Sequence, residues 1–146
     1  MSTMLEKARV YEKEKVAETD PGAKPLFHIS APTGWINDPN GFSVYDGKVH
    51  LFYQYHPYTR EWGPMHWGHS VSTDMVHWEQ LPAALAPDED YDRIGCFSGS
   101  AIEAEEKHVL VYTGVTKVKL PDGTEQERQN QCIAFGDGRD YVKYAG

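Results

Sequence analysis

The chain has 146 residues, of which 40% are hydrophobic and 25% are charged, and it carries a net charge of −8 at neutral pH. This composition is that of a globular protein with an ordinary core, and the acidic balance argues against binding to nucleic acid or to an anionic membrane, since both require clustered Lys and Arg. No apolar run approaches the roughly 20 residues that cross a bilayer.

The sequence predicts an N-terminal helix over residues 3–18. Thr3 and Glu6 fit a capping box. Apolar residues recur at helical spacing: Met4, Ala8 and Tyr11. Two interpretations of this arm are open: a frayed segment without function, which is favoured, and a helix that docks on the rest of the chain. The stretch has no continuous apolar segment of the kind found in secretory signals, so we expect a cytoplasmic location.

The next stretch, Gly34–Gly41, is rich in turn-forming residues and is centred on Asp38. Pro39 fixes φ and Gly41 accepts positive φ, so one interpretation is a surface turn. Aromatic and amide residues surround it in sequence: Trp35, Tyr53, Gln54, Tyr55, Trp62 and Trp67. Rings that cover the apolar faces of a sugar, together with amides and carboxylates that bind its hydroxyls, are typical of a carbohydrate site. From these residues alone both interpretations stay open.

Residues 42–81 alternate in the manner of four strands. Strands predicted over 42–45 and 49–53 flank a hairpin turn at Asp46-Gly47-Lys48. Two more, over 67–72 and 78–81, flank a second turn.

The same order of strands then recurs over residues 99–104, 108–115, 130–136 and 141–144, with a polar insertion at 117–129. A repeated four-stranded unit of this size is typical of a β-propeller. At roughly 40 to 50 residues a blade, residues 27–146 hold material for roughly two to three blades. Because an open propeller leaves unpaired edges, we expect the chain to be the N-terminal part of a longer protein. We divide it into a helical arm, residues 1–25, and an incomplete propeller domain, residues 26–146.

Neither the cysteines nor the histidines form a metal-binding pattern. Cys96 and Cys132 lie far apart in sequence and are predicted to be small core residues rather than a disulfide. His66 and His69 are assigned to packing or hydrogen bonding. We therefore expect no metal site.

Four blocks of the sequence, 34–41, 51–57, 62–78 and 95–101, closely resemble the start of glycoside hydrolase family 32, the family of invertases, sucrose-6-phosphate hydrolases, inulinases and levanases. The resemblance runs from about Phe27 to the end of the chain. It implies an all-β fold, in which this chain forms the first two four-stranded blades of a five-bladed β-propeller after a short N-terminal helix. It also implies an active site at the propeller axis, and the reaction requires no cofactor.

The resemblance implies that Asp38 is the nucleophile that attacks the anomeric carbon of fructose. Retaining hydrolysis needs a second carboxyl group about 5 Å away, but the family's Arg-Asp-Pro and Glu-Cys motifs are missing. Arg139-Asp140 is followed by Tyr141, so we treat it as a lookalike. The acidic run Asp88–Asp92 is the best internal candidate for the second carboxylate, although a solvated loop is the favoured interpretation.

Matching to the family assigns further residues to substrate binding: Trp35, Asn37, Gln54, Trp62, Phe97 and Ser98. The amides and the hydroxyl of this set would bind fructose hydroxyls, and the rings would stack on the sugar. Other aromatic residues are assigned to the core: Phe52, Trp67, Trp78 and Tyr112.

The favoured hypothesis is a retaining β-fructofuranosidase of the intracellular bacterial form, with the acid/base Glu outside these 146 residues and the residues inactive by themselves. The alternative is a non-catalytic propeller fragment that binds fructosides, and a third reading is a related five-bladed enzyme acting on arabinose or xylose polymers. The expected partner is a small-molecule sugar, and the choice among sucrose, sucrose 6-phosphate and a fructan stays open.

Overall fold

The computed structural model describes residues 2–144, and its regular elements are one α-helix, one short 3-10 helix and eight β-strands. Their bounds are α1 Thr3–Ala17, the 3-10 helix Pro21–Ala23, β1 Trp35–Tyr45, β2 Lys48–His56, β3 His66–Ser72, β4 Glu79–Leu85, β5 Gly95–Ala104, β6 Lys107–Lys119, β7 Glu125–Gly136 and β8 Tyr141–Lys143. The strands form two four-stranded antiparallel sheets in the orders β1-β2-β3-β4 and β5-β6-β7-β8. The predicted fold class, two blades preceded by a helix, is confirmed.

In each blade, a two-residue hairpin turn connects the first strand to the second. Asp46-Gly47 connects β1 to β2, and Glu105-Glu106 connects β5 to β6. All four residues have positive φ, from 48° at Asp46 to 69° at Gly47, as in the type I′ turns whose twist matches that of the flanking strands. The Asp-Gly hairpin predicted from sequence is therefore confirmed. The second hairpin makes the same turn with two glutamates, which adopt positive φ at a greater cost in free energy.

The interpretation of Gly34–Gly41 as a surface turn is wrong, because Trp35 to Gly41 form the first part of β1. The strand accommodates its turn-forming residues through two shifts in register against β2. Pro39 fits because β1 is an edge strand of its sheet, where a residue without an N–H is tolerated. The polar insertion predicted at 117–129 is also mostly strand, since Lys119 still pairs with Glu125 in a long β6–β7 hairpin.

Helix α1 packs against β4, the outer strand of the first blade. Ser2 is its N-cap and accepts a hydrogen bond from Leu5 N at 3.1 Å, so the predicted capping box at Thr3 and Glu6 is wrong. Arg9 Nε donates to Ala83 O at 2.9 Å, and Glu12 accepts from Ala83 N at 3.2 Å. The favoured interpretation of a frayed arm is therefore wrong, because two helix side chains bond to the N–H and C=O of Ala83 on the edge strand β4, which the helix covers.

The buried face of α1 also differs from the prediction. Leu5, Ala8 and Glu12 are buried, whereas Met4 is 45% exposed. Of the three residues at the predicted helical spacing, Ala8 is buried, Tyr11 is half-buried and Met4 is exposed. In residues 2–144, no helix is long and apolar enough to cross a membrane.

The main core lies between the two blades. It joins residues of both sheets: Phe52, Trp67, Ala84, Leu85, Cys96, Leu110, Tyr112, Cys132, Ala134 and Tyr141. Phe52, Trp67 and Tyr112 are fully buried, which confirms their assignment to the core, whereas Trp78 is only half-buried. Both cysteines are buried and free, as predicted. His66 and His69 are buried as well, and His69 Nε2 lies 2.9 Å from His50 Nδ1.

The acidic run between the blades contains a buried ion pair. Asp92 is 0% exposed, and its Oδ2 lies 2.5 Å from Lys143 Nζ and accepts from Tyr112 OH at 2.9 Å. Lys143 also pairs with Asp88. Burial opposes the charge of Lys143, but the acidic groups facing it outweigh burial and raise its pKa. The predicted solvated loop is thus wrong for Asp88 and Asp92, because a lysine on β8 compensates their charge.

Candidate active site

Asp38 and Ser98 both lie at β-bulges near the starts of the first strands of their blades. Ile36 pairs with Tyr55 and Pro39 with Tyr53, so Asn37 and Asp38 together face one residue of β2. In β5, the register likewise shifts between Phe97 and Gly99 and leaves Ser98 out of the ladder. Because a bulge bends the strand and redirects its side chains, Ser98 Oγ comes to donate to Asp38 Oδ2 at 3.3 Å although the two residues are 60 positions apart.

Asn37 and Asp38 are both exposed, and Trp35 is half-buried beside them. Trp35 Nε1 donates to Asn37 Oδ1 at 2.6 Å. This bond orients the Asn37 side chain and leaves its amide N–H groups directed away from the indole. The bulge thus presents a carboxylate and an amide on adjacent positions, with a ring at their side.

Gln54 lies beneath the bulge and is 3% exposed. Its Nε2 donates to Cys96 O at 2.9 Å, which links the first blade to the start of β5. Gln54 is also the residue that faces Asn37 and Asp38 across the β1–β2 pair. The structure therefore places it next to both bulges.

Asn40 is a buried residue at this centre that the sequence analysis did not assign to the site; it is 3% exposed. In the orientation that satisfies its neighbours, its amide nitrogen lies 3.3 Å from Ser98 Oγ and its oxygen lies 3.0 Å from Gln54 Nε2. A continuous set of hydrogen bonds then runs from Gln54 through Asn40 and Ser98 to Asp38. Asn40 lies in the stretch of turn-forming residues, and no local sequence signal distinguishes it from them; its burial and these hydrogen bonds do.

The aromatic side of the site is formed by Trp62 and Phe97. Their ring centroids lie 6.4 Å apart with an interplanar angle of 89°. Trp62, in the β2–β3 loop, is 54% exposed, so much of its surface is available to a ligand. Phe97 precedes Ser98 directly and so connects this aromatic pair to the Asp38 contact.

The seven predicted site residues therefore form one connected group on β1, β2, the β2–β3 loop and the start of β5. They combine an exposed carboxylate, a hydroxyl, amides and aromatic faces, which is the chemistry that binds a sugar. Asp88 and Asp92, the internal candidates for a second carboxylate, are instead paired with Lys143. In the part of the chain that the structure describes, no three His, Cys, Asp or Glu side chains are grouped to hold a metal ion.

Comparison with known proteins gives consistent results. The family model for the "Glycosyl hydrolases family 32 N-terminal domain" matches residues 28–146. A sucrose-6-phosphate hydrolase of Zymomonas mobilis is 52% identical over 120 residues, which are 82% of this chain and 23% of that protein. A levanase of Bacillus subtilis is 46% identical over 131 residues, 87% of this chain and 19% of the levanase.

Among solved structures, a mutant of the family 32 β-fructofuranosidase of Bombyx mori in complex with sucrose is similar with a TM-score of 0.86 and 43% identity. The similarity covers 99% of this chain and 30% of the Bombyx mori chain. The chain thus spans about a quarter of the length of the curated relatives it matches.

Proposed function

We propose that this chain, which belongs to glycoside hydrolase family 32, carries the nucleophile and part of the fructose site of a retaining β-fructofuranosidase. The observation that carries this proposal is the exposed carboxylate of Asp38, held in a bulge with Ser98 Oγ donating to it at 3.3 Å. A nucleophile must be fixed in place and accessible to its substrate. Asp38 meets both conditions.

In the proposed reaction, an oxygen of Asp38 forms a bond to the anomeric carbon of the fructosyl unit as the bond from that carbon to the glycosidic oxygen breaks. A glutamic acid outside this chain protonates the departing oxygen. Water then attacks the same carbon, the glutamate accepts its proton, and the bond to Asp38 breaks to release fructose. Ser98, by donating to Oδ2, leaves Oδ1 to face the sugar.

The remaining residues support binding of the sugar. Trp62 and Phe97 offer rings for its apolar face. Asn37 has amide N–H groups and Gln54 a side-chain oxygen for its hydroxyls, while Trp35 orients Asn37.

For the substrate we propose sucrose, sucrose 6-phosphate or a fructan, since the relatives include a sucrose-6-phosphate hydrolase and a levanase. Sucrose 6-phosphate would place the protein in the cytoplasm, where sugar phosphates are retained.

A second candidate function is fructoside binding without hydrolysis. It is favoured by the engagement of Asp88 and Asp92 with Lys143, which removes the internal candidates for the acid. Calorimetric titration of the 146-residue chain with fructose and sucrose tests it. Heat of binding without product supports this function, and the absence of any heat opposes it.

The test of the enzymatic proposal is Asp38→Asn in the complete gene product. We expect hydrolysis of sucrose to fall by at least about 1,000-fold, because removal of a nucleophile removes the covalent step. Asp46→Asn, an exposed residue in the β1–β2 turn, is the matched control and is expected to retain activity. Near-normal turnover by a correctly folded Asp38→Asn variant would refute the role of Asp38.

A further inference from the structure

Trp67 is a fully buried core residue whose indole N–H has a specific hydrogen-bonding role. Its Nε1 lies 3.1 Å from Cys96 O and 3.2 Å from Phe97 O, so one donor is shared between two successive carbonyl groups of β5. Both carbonyls belong to the three residues that precede Gly99, at the bulge that carries Ser98. Trp67 is on β3 of the first blade, and the bulge is on the second.

The start of β5 pairs with β6 of its own blade and is also hydrogen-bonded to the first blade. Cys96 N donates to Met65 O at 2.9 Å, and Cys96 O also accepts from Gln54 Nε2 at 2.9 Å. The bulge interrupts the β5–β6 ladder between Phe97 and Gly99. A carbonyl group left without a donor in a buried setting is costly, so the donors from the first blade contribute to the local conformation.

The indole ring also lies under the second bulge of β1. A Cβ atom added to Gly41 would come within 3.2 Å of Trp67 Cζ3, so the ring is in close contact with the strand that carries Asp38. The Trp67 ring packs between the rings of Phe52 and Tyr112, whose centroids lie 5.5 and 6.2 Å from its own, and this packing needs only an aromatic ring. The bonds from Trp67 to the two carbonyls require its N–H, which phenylalanine lacks.

We propose that Trp67 is a positioning residue of the site: its N–H holds the β5 bulge in the conformation that sets Ser98 against Asp38 and Phe97 against Trp62. Because its ring also contacts β1 at Gly41, the Trp67 side chain supports both of the strands that carry the Asp38–Ser98 pair. The inference rests on the proposed function for the consequence of this arrangement in catalysis. Its structural content stands on the hydrogen bonds alone.

The kinetic test compares Trp67→Phe, Ser98→Ala and the double variant in the complete gene product. We expect Trp67→Phe to lower kcat/KM for sucrose by about tenfold, and the loss from Ser98→Ala to be much smaller in the Trp67→Phe background, because residues that act through one another are not additive. Trp78→Phe, at a half-buried Trp on the same blade, is the matched control and should leave kcat/KM unchanged. Unchanged kcat/KM in folded Trp67→Phe, or fully additive losses, would overturn the inference.

A second replacement separates positioning from packing. 3-Benzothienylalanine at position 67 keeps the size and shape of the indole and replaces its N–H by sulfur, so folding is preserved where phenylalanine leaves a cavity. A crystal structure of this variant is expected to show the Ser98 hydroxyl withdrawn from Asp38. If the Ser98–Asp38 contact is unchanged, the inference is wrong whatever the activity.

The two proposals fail in different ways. Full activity in Asp38→Asn contradicts the proposed function, and the crystal structure of the position-67 variant still decides the role of Trp67. Loss of activity in Asp38→Asn together with normal kinetics and an unmoved Ser98 in both position-67 variants contradicts the role of Trp67 alone.

Discussion

At the scale of single residues, the site depends on side chains whose directions are set by local irregularity in the backbone. Asp38 and Ser98 would lie within regular ladders if β1 and β5 paired without bulges, and their contact at 3.3 Å is made across two blades. Beneath them, Asn40 and Gln54 are buried and hydrogen-bonded, whereas Asp38 is exposed. A hydrogen-bonded polar base below an exposed carboxylate is what the proposed role of Asp38 requires, because a nucleophile must be held in place.

Trp62 provides a prediction at this scale. Because its ring is 54% exposed and packs only edge-on against Phe97, Trp62→Ala should change stability little. If the ring stacks on the sugar, its loss should raise KM for sucrose by about 3- to 10-fold, the range expected for one aromatic contact. Steady-state kinetics and thermal unfolding check this, with Trp62→Phe as the conservative variant that restores most of the affinity. An unaltered KM in Trp62→Ala would remove the residue from the site.

At the scale of elements, α1 packs along the outer edge of the first blade and also contacts the second blade. Arg9 donates to the C=O of Ala83 and Glu12 accepts from its N–H, and Arg9 NH1 also pairs with Asp140 at 2.6 Å in the β7–β8 turn. Ser2 at the helix start contacts Asp88 in the inter-blade loop. The helix thus joins both blades along their outer side.

Glu12 makes the docking of this helix dependent on pH. Burial raises its pKa to about 7, against the hydrogen bonds from Ala83 and Tyr55 and the charge of Arg9, which lower it; its Oε1 has no hydrogen-bond partner. The folded state therefore binds a proton between pH 4.5 and 7 that the unfolded state has lost. Stability from protonated Glu12 is fully present below pH 4.5 and is lost as the pH rises through about 7.

We therefore predict that Glu12→Gln is more stable than the unmodified protein at pH 8 by about 1 kcal/mol, and that the difference shrinks toward pH 5. Urea unfolding at both pH values measures it. Glu6→Gln, an exposed position on the same helix, is the control and should show no such dependence. Parallel pH profiles for Glu12→Gln and the unmodified protein would contradict the prediction.

The two hairpin turns allow a reciprocal test. Glu105 and Glu106 have φ of 50° and 61°, a conformation that Asn and Gly adopt more easily. Glu105→Asn with Glu106→Gly should stabilise the protein by about 1 kcal/mol, and Asp46→Glu with Gly47→Glu in the other hairpin should destabilise it. Thermal unfolding measures both pairs of substitutions. Equal changes in unfolding temperature from the two pairs of substitutions would show that positive φ at these turns does not limit stability.

At the scale of the whole molecule, the two blades meet over a core that includes several buried histidines. His50 and His69 share a hydrogen bond of 2.9 Å, and His108 bonds to Tyr141 OH at 2.8 Å and to Ser43 Oγ at 2.9 Å. Ser43 belongs to the first blade, and His108 and Tyr141 to the second. The bond between His108 and Ser43 therefore joins the two blades.

The buried histidines His50, His66, His69 and His108 are expected to make the protein lose stability in acid. Burial lowers the pKa of His66 and of His108 to about 4, and it also lowers the pKa of His50 and His69. Between pH 6.5 and 4 the unfolded state binds more protons than the folded state, so stability is present above pH 6.5 and is lost as the pH falls. This trend opposes that of Glu12 and involves more groups, so stability should fall overall from pH 6.5 to 4.5.

The change in unfolding free energy with pH measures the effect, and His108→Gln should reduce its slope between pH 6.5 and 4.5. His28→Gln, at an exposed histidine, is the matched control and should leave the slope unchanged. A slope that is the same in all three proteins would show that His108 does not contribute to the acid sensitivity.

The sequence by itself determined the order of the strands, the two-blade organisation and the family. Alternating apolar residues and the Asp46-Gly47 turn identify the first hairpin because a pleated strand and a type I′ turn each impose a local residue pattern. The blocks around Asp38 and Phe97 identify the family in the same way. These features depend on neighbours in sequence, so they can be predicted from it.

Only the tertiary structure decided the conformation of the turn-like segment at Gly34–Gly41, because pairing with β2 makes it a bulged strand. Burial of Asp92 likewise depends on Lys143, 51 residues away, which compensates its charge. Asn40 and Trp67 contact the second blade, and their own sequence neighbourhoods do not reveal these contacts. In each case the outcome depends on the free energy of pairing with a distant group, and that group is known only when the blades are assembled.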